Sequence, residues 1–252
     1  MFKKLISLCI SIIIITNIFN LVPSYGQEIN IADSVNEVNG MSNEKFDDWL
    51  MEYVSKNKGK KTFVEMKSEL NSIGIQFNIH TLQNEGISLM SLAKSDITLQ
   101  SYAAKRTGDS FYRVYGCATF NKHETSPSGY DLISVEWDNS KTTYYSKNMS
   151  KNVTTMDGSK RSQGIYLFDV DDSKTYAGDY EYAVVYVNKK SSASSVDIGT
   201  KYTHTYGSTS YNWSLGVNFN YSSSGPSGGA SYSVTGISGV STWSKYEDNV
   251  FN

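Results

Sequence analysis

The chain has two cysteines, three prolines and three histidines, and each scarcity excludes something. Cys9 lies in an N-terminal apolar stretch that reads as a removable leader, which leaves Cys117 alone. No intrachain disulfide is then expected, so the fold must rest on its core rather than on covalent staples. Cys117 sits in a strand-like run without any orienting pattern and reads as a small buried hydrophobe, not a nucleophile. The few prolines exclude a Pro-rich linker. His80, His123 and His204 are scattered without metal-ligand spacing, and no HExxH, GxSxG or P-loop pattern occurs. No catalytic residue, no metal and no cofactor is therefore expected. His204 alternates with Tyr202 and Tyr206 on one strand face, which favours a packed aromatic neighbour over a catalytic base. The run Asp169-Val170-Asp171-Asp172, with Glu136 and Asp138, lacks EF-hand spacing and its glycine, so an acidic turn is preferred to a Ca²⁺ site.

Charge of one sign is also lacking. The formal net charge is −2, and loss of Lys3 and Lys4 with the leader makes it −4. Without a basic stripe, nucleic acid is not an expected partner. Beyond residue 26 there is no second long apolar run, hence no expected membrane-spanning helix.

Residues 1–26 carry Lys3 and Lys4, an apolar stretch from Leu5 to Ile15, and Ser24 and Gly26 at the positions signal peptidase prefers. This predicts a signal peptide and a secreted, extracellular protein. An uncleaved anchor is the weaker alternative, because polar residues follow at once. Residues 27–41 are polar and read as a disordered linker. Helical spacing then sets in. Phe46, Trp49, Leu50, Tyr53 and Val54 mark one helix face. Thr62 and Glu65 form a capping box before the stripe Phe63, Met66, Leu70 and Ile73, which Gly74 ends. Between these helices lie Lys56, Lys58, Lys60 and Lys61, a solvated turn on the plain reading and a contact for anionic lipid head groups on the sharper one.

From about residue 96 the texture changes to short runs of Tyr, Val, Ile, Phe and Thr at 111–120, 130–137, 142–146, 164–170 and 180–188, separated by turn clusters. The expected fold is mainly β, an antiparallel sandwich or small barrel, with a short two-helix N-terminal region, α+β overall. The division is signal peptide 1–26, linker 27–41, helical region 42–95 and β-rich domain 96–252 with a C-terminal hairpin at 209–243.

That hairpin is the most informative stretch. Residues 202–244 contain no Asp, Glu, Lys or Arg, although charged residues make up 19% of the chain. Tyr211, Trp213, Leu215, Val217, Phe219 and Tyr221 alternate with polar residues or glycine. After a Ser/Gly-rich loop, Tyr232 and Val234 continue the pattern on the return run, which slips at Ile237. A strand crossing a bilayer needs roughly 9–11 residues with an apolar outer face and aromatics at the interfaces. These positions are the candidate membrane-facing residues. One chain offers two such strands, so a homo-oligomer would have to close the barrel. A hairpin packed on a soluble core explains the alternation equally well and is preferred as a statement of fold. It explains the missing charge less well.

Within 132–206, Val135-Glu136-Trp137-Asp138, Ser140-Lys141 with Tyr144-Tyr145-Ser146, Gly164-Ile165-Tyr166-Leu167-Phe168 and Thr203-His204-Thr205-Tyr206 resemble secreted Gram-positive proteins of the large geobacillin-type bacteriocin family. The resemblance implies a secreted antibacterial protein and carries over no catalytic residue. The helical region lies outside it and is a candidate pro-region, with Lys94 a candidate cut site. The expected function is thus a non-enzymatic antibacterial or membrane-damaging protein whose partner is a bacterial membrane or cell surface. A glycan- or surface-binding sandwich, using its many Tyr and Trp for stacking, is the alternative.

Overall fold

The computed structural model describes residues 31–79, 92–125, 131–156, 159–206, 217–221, 230–234 and 241–252. Two antiparallel five-stranded sheets make a sandwich whose outer face on one side is covered by helices. The strands are β1 (Ile75–Ile79), β2 (Ile97–Arg106), β3 (Tyr112–Phe120), β4 (Asp131–Trp137), β5 (Thr142–Met149), β6 (Val153–Thr155), β7 (Ile165–Val170), β8 (Tyr180–Lys189), β9 (Val196–Tyr206), β10 (Val217–Tyr221), β11 (Ala230–Val234) and β12 (Ser241–Phe251). The first sheet runs β1-β2-β3-β8-β5 and the second β12-β9-β4-β7-β6, while β10 and β11 form a two-stranded sheet of their own. The mainly-β sandwich expectation is met, and the small barrel is not.

Strand alternation decides what each face buries. Val114, Ala118 and Phe120 of β3 and Ala183, Val185 and Val187 of β8 face the second sheet, meeting Ile133, Val135, Phe168, Ile198 and Tyr202. The intervening Tyr115, Cys117, Tyr182, Val184 and Tyr186 face the helices. With both faces covered, these strands cannot show the apolar/polar alternation of a half-wet sheet, and their runs read as nearly continuous apolar sequence. Gly116 is required by the close approach of the sheets, because a Cβ there would meet Thr200 Oγ1 at 2.3 Å.

The helices are α1 (Ile31–Gly40), α2 (Asn43–Asn57) and α3 (Phe63–Ser72). In α2, Phe46, Leu50, Met51 and Val54 are buried on the sheet. The capping box of α3 is formed as expected: Glu65 N–H donates to Thr62 Oγ1 at 3.2 Å and Thr62 N–H donates to Glu65 Oε2 at 2.7 Å. Gly74 then leaves the helix with φ +81°, open to glycine at little cost.

Three expectations need correction. The stretch 27–41, read as a disordered linker, carries α1, so the described residues of the N-terminal region form three helices rather than two. α1 carries Ile31, Val35 and Val38 at helical spacing, with Val38 buried, and Arg106 anchors its end from a distance, donating to Val38 O at 3.1 Å and Met41 O at 2.8 Å. The helical region 42–95 also ends early, because β1 joins the first sheet. Finally, the hairpin expected at 209–243 stops short of its boundary. Residues 241–243 begin β12, which pairs with β9 along its whole length.

Candidate functional site

Two buried polar clusters lie on opposite faces of the first sheet, and they differ in kind. The first joins the helices to the sheet. Asp47 of α2, with a side chain 0% exposed, accepts from Arg113 Nε at 3.0 Å, Asn148 Nδ2 at 3.0 Å and the hydroxyls of Tyr115 and Tyr186. Arg113 also donates to Asp109 and to Asn43 Oδ1, and its guanidinium lies 4.4 Å from the Phe46 ring centre and 4.8 Å from that of Phe111. Burial holds the Asp47 carboxyl above its ordinary range, against the pull of Arg113 and of three hydrogen bonds from Tyr115, Tyr186 and Asn148. The sequence pointed to none of these polar partners, since a lone Asp on an apolar helix face reads as solvent-facing.

The second cluster closes one end of the sandwich core. His204 comes from the last turns of β9, Asp131 from the start of β4, Glu124 from the β3–β4 connection and Asp172 from the β7–β8 turn. All four side chains are 0 or 1% exposed. His204 Nδ1 faces both oxygens of Asp131 at 2.9 and 2.8 Å, and Nε2 faces Glu124 Oε2 at 3.0 Å. Asp131 is further held by the Tyr202 hydroxyl and by Thr205 N–H at 2.9 Å, and Leu92 N–H donates to Glu124 Oε2 at 2.8 Å. Burial would push the imidazole down, but Asp131 and Glu124 hold it above its ordinary value. Asp172 approaches His204 Nδ1 at 3.8 Å, beyond hydrogen-bond range, and neither of its oxygens has a hydrogen-bond partner. Burial and the neighbouring Asp131 and Glu124 charges raise its carboxyl far above the usual range.

His204 is the packed aromatic neighbour the alternation implied, with ring centres 5.4 Å from Tyr206 and 5.3 Å from Trp243. The three carboxylates around it were missed. They come from positions 124, 131 and 172, and only the strand register brings them together. The acidic run is split: Asp171 pairs with Lys174 at 2.6 Å, and Asp172 alone enters the cluster. Glu136 accepts from Ser134 Oγ at 2.8 Å and Asp138 from Ser140, so neither joins it.

The segment 207–240 leaves from the same end, between Tyr206 and its register partner Ser241. Of the candidate membrane-facing residues, Tyr211, Trp213 and Leu215 lie outside the described residues. Val217, Phe219 and Tyr221 fall on β10, and Tyr232 and Val234 on β11. The register sets Val217 opposite Val234, Phe219 opposite Tyr232 and Tyr221 opposite Ala230. Of the four lysines, Lys56 pairs with Glu52 at 2.7 Å, Lys61 with Glu69 at 2.6 Å, and Lys58 donates to Thr119 Oγ1 at 3.3 Å; Lys60 is exposed. Cys117 is buried against Met51, and burial pushes its thiol up, as suits an inert side chain. Among the described residues no helix is long and apolar enough to cross a membrane.

No family model and no curated protein matches the chain. Among solved structures, the sixth cohesin of scaffoldin B from Acetivibrio cellulolyticus, in complex with a dockerin, is similar at 19% identity over 38% of this chain and 77% of that one. The TM-score is 0.27, a likeness too small to assign a fold family or a partner.

Proposed function

We propose that this is a secreted, membrane-damaging antibacterial protein that acts without enzymatic chemistry, by inserting the hairpin of segment 207–240 into a bilayer. The observation that carries this reading is how the segment is mounted. It leaves the sandwich between two strands, β9 and β12, that pair without a break, and it carries no formal charge. Inside it, β10 and β11 pair as a hairpin with apolar positions registered against apolar positions. Lys or Arg facing lipid at the midplane costs about 2–4 kcal/mol, a penalty this ribbon avoids. Each chain supplies two strands, so several chains assemble on the membrane to satisfy every backbone group. The resemblance to geobacillin-type bacteriocins supports a bacterial target.

Dye release from anionic liposomes by the leaderless chain tests this reading. Release is expected at sub-micromolar protein and is lost in a folded Val217→Asp variant. Intact release by that variant refutes insertion. Absence of release from the folded parent refutes membrane damage and favours a second reading, binding of cell-surface glycans. That reading has its own support in Tyr145 and Tyr176, residues 57% and 62% exposed, each with one ring face stacked on a neighbouring ring.

A further inference from the structure

We propose that Glu124, Asp172 and His204 form a site for a first-row divalent metal ion such as Zn²⁺ or Mn²⁺, with Asp131 orienting the imidazole. The cluster has two deficits, and a single ion answers both. The first is charge, because among the described residues three buried carboxylates surround one imidazole, which supplies at most one positive charge. The second is hydrogen bonding, because both oxygens of Asp172 are buried and unpartnered. Protonating Asp172 would cancel its charge and let its O–H donate to a neighbouring carboxylate, yet Asp131 and Glu124 would still share one imidazole. His204 Nδ1, 3.8 Å from Asp172, is already engaged by Asp131. A cation neutralises the carboxylates and supplies the missing partner.

The donor set also has the right layout. One donor atom from each of Glu124, Asp172 and His204 lies within 4.8 Å of the other two. Bonds to such an ion run at roughly 2.0–2.2 Å, and three atoms at the 4.8 Å limit lie about 2.8 Å from their common centre, so closure asks each for a movement of under about 1 Å. Nδ1 is held by a carboxylate that is itself fixed by Tyr202 and Thr205. That is the arrangement which orients a metal-bound imidazole through its second nitrogen, leaving Nε2 to exchange its contact with Glu124 for the metal. A nitrogen ligand among carboxylates favours zinc or manganese over calcium, which takes oxygen throughout.

The site would join the β3–β4 connection, the β7–β8 turn and β9 just before segment 207–240 departs. His204 registers against Trp243, the third residue of β12, so a bound ion would stiffen the root of the hairpin. The proposal does not rest on membrane insertion.

The test is calorimetric titration of the tag-free, chelator-stripped full chain at pH 7 with ZnCl₂, MnCl₂ and CaCl₂, together with melting curves. One Zn²⁺ or Mn²⁺ per chain is expected, with Tm raised by about 5 °C or more when free metal exceeds Kd a hundredfold. Affinity should fall at least about tenfold in Asp172→Asn and in Glu124→Gln and stay unchanged in Asp171→Asn, whose parent side chain pairs with Lys174. The wild-type titration decides even where a variant fails to fold. Absence of stoichiometric binding overturns the site and leaves a cluster that holds protons only. Binding of Ca²⁺ alone overturns the ligand class, and undiminished binding by both variants places the metal elsewhere.

Discussion

The two buried charge clusters lie on different sides of the first sheet, one under the helices and one inside the sandwich, and are built to opposite standards. Under the helices, Arg106 and Arg113 meet Asp47 and Asp109, and Asp47 has four donors. At the end of the sandwich, three carboxylates crowd one histidine and Asp172 is left without a hydrogen bond. Balanced charge with saturated hydrogen bonds is how a buried polar group fixes one element to another. An acid-rich cluster with an unpartnered member costs stability, and such costs concentrate where a protein binds or switches something. The difference separates a fastening from a candidate site by arithmetic on charge and donors alone.

The comparison can be broken from either side. Arg113→Met should have the largest effect, because it leaves Asp47 buried without its cation and Asp109 with Arg106 alone. A loss of about 3–5 kcal/mol is expected, read as a lower urea midpoint at unchanged slope. Asp172→Asn should act in the opposite direction. In the metal-free chain it replaces a carboxyl that must take up a proton on folding, and stability at neutral pH should rise by about 1 kcal/mol. A loss similar to that of Arg113→Met would show that both clusters are fastenings. The smallest effect sharpens the account away from either cluster. Burial, opposed by Lys245, pushes Glu247 on β12 up to about 7, whereas its unfolded value is 4.5. The folded chain therefore holds a proton that the unfolded chain gives up, and stability falls as pH rises from 4.5 through 7. Glu247→Gln should raise Tm at pH 8 by a few degrees and leave it unchanged at pH 4.

The fastening also bears on the candidate cut site at Lys94. Cleavage there takes β1 from the first sheet and Asp47 from Arg113 unless the pieces stay together. A chain beginning at residue 95 would expose Tyr102, Tyr115 and Tyr186, and aggregation on gel filtration is the expected result.

Much of the scaffold was legible because local chemistry writes it. Thr62 and Glu65 announced a helix start, Phe46, Leu50 and Val54 a buried face, and the Tyr/Val runs the central strands. What stayed hidden depends on distant partners. The helix α1 owes part of its anchoring to Arg106, far along the chain, and its apolar Ile31, Val35 and Val38 span only two turns. β1 and β6 are too short to show a period, and β12 carries Lys245, Glu247 and Asp248 through a strand that alternation alone had ended at Trp243. The site was least legible of all. Glu124, Asp131, Asp172 and His204 belong to four separate elements, and no spacing in the sequence marks them as neighbours.

The most direct test of the membrane reading is a cysteine scan of residues 217–221, each position carrying an environment-sensitive fluorophore, on liposomes containing a lipid-borne quencher. Buried Cys117 does not compete for the label. Insertion as a β-ribbon predicts that labels at 217, 219 and 221 shift to the blue and are quenched, while those at 218 and 220 remain in water. A uniform response along all five positions, or none while dye still escapes, would contradict it.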